Sequence, residues 1–208
     1  FKKPNYIGDP INAVKIFNEK EVDELVFLDI DATKKGKDPD YTMIEEIASE
    51  CFMPLAYGGG INSIQQIKKL FQIGIEKVII NSSILANKSL ISDAAKIYGS
   101  QSIVASIDVK KNVFGKYNCY IESGKTKINS NIVDYAKLTE SLGAGEIILT
   151  SIDNEGTFSA YDIDLVKMIS EAVQIPVVAN GGASCINDFA DAVISGGASA
   201  VAAGSIFV

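Results

Sequence analysis

The sequence predicts an α/β barrel, an incomplete (β/α)8 ring made of two copies of one half. Three observations carry this. Short apolar strands alternate with amphipathic helical stretches throughout the 208 residues, as in a parallel sheet covered on both faces. No Pro/Gly/Ser-rich linker interrupts the alternation, so residues 1–208 read as a single domain. A block of strands, glycine turns and helix ends also recurs 122 positions downstream, the mark of a duplicated half.

Ile11 to Lys20 reads as a helix, with Ile11, Val14, Ile16 and Phe17 roughly on one face. Glu24 to Asp29 is a strand, and Tyr41 to Glu50 a helix with Met43, Ile44, Ile47 and Ala48 at helical spacing. Strand Leu55 to Tyr57 runs into Gly58-Gly59-Gly60, followed by a helix from Ser63 to Ile73 capped by Asn62 or Ser63. Strand Lys77 to Ile80 and a helix from Lys88 to Tyr98, stopped by Gly99, come next. Strand Ile103 to Asp108 leads into an alternating segment, Asn112 to Thr126, which reads as a hairpin excursion. Helix Ile132–Leu142, strand Ile147–Thr150, helix Ile163–Val173, strand Pro176–Ala179, helix Ile186–Ile194 and strand Ala200–Ala203 complete the series. Seven strands therefore form the parallel sheet.

The repeat is read in one ungapped register. Glu24, Leu25, Ile30 and Asp31 fall on Glu146, Ile147, Ile152 and Asp153, and Pro54 to Gly60 on Pro176 to Gly182. Gly74 falls on Gly196, and Asn81-Ser82-Ser83-Ile84 on Ala203-Gly204-Ser205-Ile206. The strand Ile103–Asp108 opens the second half, so its mate would precede Phe1, and the mate of helix Lys88–Tyr98 would follow Val208. The expectation is an eight-unit barrel without its first strand and last helix.

Composition excludes several function classes. There is no histidine, which removes serine–histidine and cysteine–histidine catalysis and the usual zinc hydrolases. Cys51, Cys119 and Cys185 form no zinc pattern and no even disulfide set, so reduced thiols and a cytoplasmic location are expected. A net charge of −7 argues against nucleic acid as partner, and no apolar run is long enough for a membrane span. No cofactor or metal motif is legible.

A parallel barrel presents its chemistry at the C-terminal ends of its strands. There the sequence places Asp29 and Asp31, Gly58 to Gly60, Asn81 to Ser83, Asp108 and Lys110, Thr150 to Thr157, Asn180 to Ala183, and Gly204-Ser205. Glycine lets backbone N–H groups approach phosphate oxygens closely, and an adjacent helix start adds a favourable field. Two such turns related by the repeat suggest two phosphate sites on opposite sides of the mouth; each glycine also has the plainer use of allowing a tight turn. Asp108 closes an otherwise apolar strand, where a carboxylate can be tuned for proton transfer or can serve as a cap or ion-pair partner.

The blocks Asp23-Glu-Leu-Val-Phe-Leu-Asp-Ile30, Gly58-Gly-Gly-Ile61, Ile80-Asn-Ser82, Ile107-Asp108, Gly143-Ala-Gly-Glu-Ile-Ile-Leu-Thr-Ser-Ile-Asp153, Gly156-Thr157 and Gly181-Gly-Ala183 resemble the cyclase subunit of imidazole glycerol phosphate synthase. That resemblance spans essentially the whole chain and implies a TIM barrel. It implies an ammonia-dependent lyase that takes ammonia from a glutaminase partner in a heterodimer. The enzyme cleaves and cyclises a two-phosphate ribulosyl-formimino substrate into imidazole glycerol phosphate and an aminoimidazole carboxamide ribonucleotide, in histidine biosynthesis. It further implies Asp108 as one of two catalytic aspartates and Glu155 as a further catalytic carboxylate, with Gly60, Asn81 and Ser82 at one phosphate. Gly156, Gly182, Gly204 and Ser205 would hold the other phosphate, Thr150 would line the cleft, and Glu24, Lys77 and Glu146 would form a charged gate for ammonia at the opposite face.

Two departures stand out. The family's other catalytic aspartate belongs to the missing first strand, and Ile152-Asp-Asn-Glu-Gly-Thr157 carries Glu155 where the family has aspartate. Asp31, Ala56-Tyr57 and Ser49 to Pro54 look more like a paralogous branch from surface-polysaccharide gene clusters, where glutaminase-derived ammonia serves amidino-sugar synthesis. The sister isomerase of histidine synthesis and a non-catalytic, ammonia-conducting barrel are the competing readings.

Overall fold

Seven parallel strands set the architecture. A computed structural model describes residues 8–207, so the ends of the expected single domain, residues 1–7 and 208, lie outside the described residues. The helices are α1 (Pro10–Glu19), α2 (Ala32–Lys35), α3 (Tyr41–Glu50), α4 (Ile64–Ile73), α5 (Ser83–Ala86), α6 (Ser89–Tyr98), α7 (Ile132–Ser141), α8 (Ile163–Ser170) and α9 (Ile186–Ile194). The strands are β1 (Leu25–Leu28), β2 (Leu55–Gly58), β3 (Lys77–Ile80), β4 (Ile103–Lys111), β5 (Tyr117–Ile121), β6 (Thr126–Lys127), β7 (Glu146–Ser151), β8 (Val177–Asn180) and β9 (Ala200–Ala202). The sheet runs β1-β2-β3-β4-β7-β8-β9, and β5 and β6 form an antiparallel flap on β4. The sheet curls until Phe17 of α1 meets Phe207 edge-on at 6.2 Å, so the first helix lies against the last turn. This is the curvature of a (β/α)8 barrel.

Two cores follow from strand alternation. Outward-facing residues such as Tyr57, Ile80, Ile103, Ile107, Ile147 and Leu149 pack against the helices as the large core. Inward-facing Ala56, Ile79, Val104 and Ile148, with Val26 and Val178 against them, form a separate apolar layer inside the barrel.

The repeat is visible in the hydrogen bonds. Asp40 caps α3 by accepting from Met43 N–H, and Asp162, 122 positions on, caps α8 by accepting from Leu165 N–H. The Gln66 side chain accepts from Ser63 N–H at the start of α4, and Asp188 accepts from Cys185 N–H at the start of α9. These reciprocal caps satisfy helix N–H groups that otherwise lack partners. Strand register repeats as well: Leu25 to Leu28 face Leu55 to Gly58, as Ile147 to Thr150 face Val177 to Asn180.

The register is not ungapped to its end, which corrects the expectation from sequence. Ala56 faces Lys77, but its mate Val178 faces Ala200, an offset of 123. Gly74 (φ 108°) ends α4 with Ile75 N–H returning to Leu70 O, whereas in the second half Gly197, not Gly196, has positive φ (69°) and Ala198 N–H returns to Ala192 O. One extra residue in that turn makes Asn81 the mate of Gly204 and Ser82 the mate of Ser205. The bonds Ile84 N–H to Asn81 O and Phe207 N–H to Gly204 O fix this pairing.

Candidate active site

The strands end at one mouth, and register aligns the polar residues there. Asp108 on β4 lies opposite Thr150 on β7, which lies opposite Asn180 on β8. Thr150 Oγ1 accepts from Asn180 Nδ2 at 3.1 Å, and the Ser106 hydroxyl donates to Asp108 Oδ1 at 3.3 Å. Asp108 is only 9% exposed. Burial pushes its carboxyl up to about 6, against the opposing pull of the Ser106 hydrogen bond. A carboxyl poised near neutrality can both give and take a proton.

The second-half glycine turn bounds a small, open cleft lined by Glu155, Gly156, Gly182, Gly204 and Ser205 together with Phe158. Its walls are held by backbone. A Cβ on Gly182 would run into the Ala160 carbonyl, and one on Gly181 would lie 2.8 Å from the Ser151 carbonyl and 3.3 Å from Glu155 Oε2. The loop carrying Glu155 is pinned to this turn, since Ala160 N–H donates to Gly182 O and Asn154 Nδ2 to Ala160 O.

The first-half turn is built the same way but roofed. A Cβ on Gly59 would lie 2.5 Å from the Asp29 carbonyl, and one on Gly60 would lie 2.7 Å from the Lys37 carbonyl. Gly60 N–H reaches Thr33 Oγ1 at a long 3.4 Å. The flap closes over Ser82, whose hydroxyl oxygen accepts from Glu122 N–H and whose hydroxyl donates to Asn81 Oδ1. Asn81 Nδ2 in turn donates to Ser106 O, the carbonyl beside Asp108. Ser123, next in the flap, donates to Ile30 O.

At the opposite end of the barrel, Lys77 Nζ lies 2.7 Å from Glu24 Oε2 and 2.9 Å from Glu146 Oε2. Burial works against the charge on Lys77, but the hydrogen bonds to the two glutamates outweigh it and raise its pKa. The three residues named for the gate thus form one ion cluster, separated from the mouth by the inner apolar layer.

The structure brings together Asp108 and Thr150; Asn81 and Ser82; and Glu155, Gly156, Gly182, Gly204 and Ser205, while Gly60 lies against Thr33 and the Lys37 carbonyl. Lys110 stays exposed on β4, facing Asn118. Ser106, Thr33, Phe158 and the Glu122-Ser123 turn were missed from sequence. Ser106 was findable, because it lies two residues before Asp108 on the same strand face. No helix among the described residues is long and apolar enough to cross a membrane, and none of their Cys, Asp and Glu side chains cluster as a metal site.

A family model described as "Histidine biosynthesis protein" matches residues 1–208. A protein of Pseudomonas aeruginosa, provisionally named an imidazole glycerol phosphate synthase subunit, is 48% identical over all of this chain and 83% of its own length. A similarly named protein of Vibrio vulnificus is 46% identical over all of this chain and 80% of its own length. The imidazole glycerol phosphate synthase subunit HisF of Alkaliphilus metalliredigens is 43% identical over 96% of this chain and 79% of its own length.

Proposed function

We propose a function from one premise: the chain belongs to the histidine biosynthesis protein family. It acts as the ammonia-dependent cyclase (lyase) subunit of an imidazole glycerol phosphate synthase. Ammonia from a glutaminase subunit cleaves and cyclises a bis-phosphate ribulosyl-formimino aminoimidazole carboxamide nucleotide. The products are imidazole glycerol phosphate and aminoimidazole carboxamide ribonucleotide.

One observation carries this reading: the buried Asp108 carboxyl, held near neutrality at the mouth of a barrel whose other end carries the Glu24–Lys77–Glu146 cluster. Addition of ammonia to a carbonyl, loss of water and ring closure each move protons, and Asp108 is the buried group able to relay them. Glu155 supplies a second carboxylate beside the second glycine turn. In this reading the two turns hold the two phosphates through backbone N–H groups, which suit anions without cationic side chains. Thr150, bonded to Asn180, shapes the cleft between them. The glutaminase subunit docks over the charged cluster as the other half of a heterodimer. The free Cys51, Cys119 and Cys185 fit the reducing cytoplasm. Cyclisation of the ribulosyl-formimino substrate with ammonium salt at high pH tests the activity directly, with turnover expected.

A second reading is favoured by the cleft beside Gly182, which is lined by Glu155 and Phe158 and by no lysine or arginine. It makes the chain a paralog that uses glutaminase-derived ammonia in amidino-sugar synthesis, or a non-catalytic ammonia-conducting partner. Tight glutaminase binding without turnover selects this alternative.

A further inference from the structure

The two halves share a backbone but not a charge. Loop 29–38 packs on Gly59 and Gly60 as loop 151–160 packs on Gly181 and Gly182. At repeat-related positions the first loop carries Thr33, Lys34, Lys35 and Lys37, and the second carries Glu155, Gly156, Thr157 and Ser159. In the first loop Asp29, Asp31 and Asp38 are balanced by the three lysines, for a net charge of zero. In the second, Asp153 and Glu155 stand without a lysine, for a net charge of −2.

The first-half charges are also arranged. Asp31 is flanked by Lys35 Nζ at 2.7 Å and Lys34 Nζ at 3.8 Å, which leaves the trio net positive. The Lys35 hydrogen bond and charge, then Lys34 and Lys125 on the flap, lower the Asp31 carboxyl pKa. Asp29 Oδ1 accepts from the N–H groups of Asp31 and Ala32, and Asp38 accepts from Gln66. In the first loop, then, each carboxylate has a bonded partner, and the Lys34 and Lys35 side chains are 31% and 56% exposed. In the second loop no lysine offsets the Glu155 carboxylate, which lies against the turn at Gly181.

We propose that the mouth is electrostatically polarised, so that the first-half turn at Gly60 is the tighter phosphate site and is filled first, while Glu155 keeps the second-half turn at Gly182 the weaker site. The inference rests on the reading of the glycine turns as phosphate sites and adds their order of affinity.

The test is titration of the ¹⁵N-glycine-labelled full chain with inorganic phosphate, following the Gly60 and Gly182 amide signals. Gly60 is expected to saturate at roughly tenfold lower phosphate than Gly182. The exposed triple variant K34Q/K35Q/K37Q should raise the Gly60 midpoint toward that of Gly182 and leave Gly182 in place. High salt should narrow the gap in the parent protein, because exposed charges are screened. Unmoved signals from remote Gly99 and Gly143 would show that the variant keeps its fold. Equal midpoints, Gly182 saturating first, or a Gly60 midpoint indifferent to the triple variant would overturn the polarity while leaving the paired sites standing. Silence at both glycines would remove the phosphate-site reading together with the polarity.

Discussion

Replacing Asp108 by Asn separates a catalytic carboxyl from a structural one. Asn keeps the shape and can still meet the Ser106 hydroxyl, but it cannot ionise. Burial raises the Asp108 pKa from 3.8 to about 6, so the folded chain binds this proton more tightly than the unfolded chain does. The stability this contributes is fully present below the unfolded value and is lost as pH rises through the folded one. A rise of that size corresponds to about 3 kcal/mol, carried as a cost once the pH exceeds about 7. Relative to the parent, Asp108→Asn should therefore gain about 3 kcal/mol between about pH 4 and about pH 8. Urea unfolding of both proteins across that range measures the gap. Turnover should meanwhile fall at least about 100-fold, the usual scale for a lost general acid–base group. A stability gap that is flat with pH would refute the raised pKa, and unchanged turnover would refute the proton relay.

Three further outcomes are expected. Glu155→Gln should lower turnover by about 100-fold while Glu155→Asp stays within about tenfold of the parent; equal rates for parent and Gln would remove Glu155 from the chemistry. Gly156→Ala meets no neighbour and bears only its positive φ of 69°, whereas Gly182→Ala adds a clash with the Ala160 carbonyl at φ 104°. Thermal melts should show a loss of about 1–2 kcal/mol for the first and more than about 3 for the second. Lys77→Met leaves Glu24 and Glu146 without their shared cation; glutamine-driven turnover should drop with ammonium-driven turnover preserved, and a parallel loss of both would place Lys77 outside ammonia delivery.

Much of the architecture was legible because the duplication states each element twice. The strands were found from continuous apolar runs, and α3, β3 and α9 have the bounds read from sequence. The four-residue helices α2 and α5 were not found, since one turn is too short to show a period. The inserted residue before β9 was hidden because Gly74 and Gly196 align as identities, while the left-handed conformation belongs to Gly197. Asp108 was legible as a carboxylate ending an apolar strand. Its burial was not, because that depends on the flap, where Asp108 pairs with Tyr120 on β5. The contact of Glu122 with Ser82, 40 positions apart, has no local signal at all.

The way each mouth loop rests on its glycine turn has a consequence for how such a protein changes over time. Ser151 and Ala160 meet the second turn through carbonyl oxygens, as Asp29 and Lys37 meet the first. Every residue type supplies that oxygen, so the loop can be rewritten while the two glycines cannot. Lineages can thus explore new specificities by drift in the loops without first losing foldedness. Grafting loop 153–159 onto the first half should yield a folded protein with altered ligand preference, which makes these loops the natural place to randomise in a directed-evolution library.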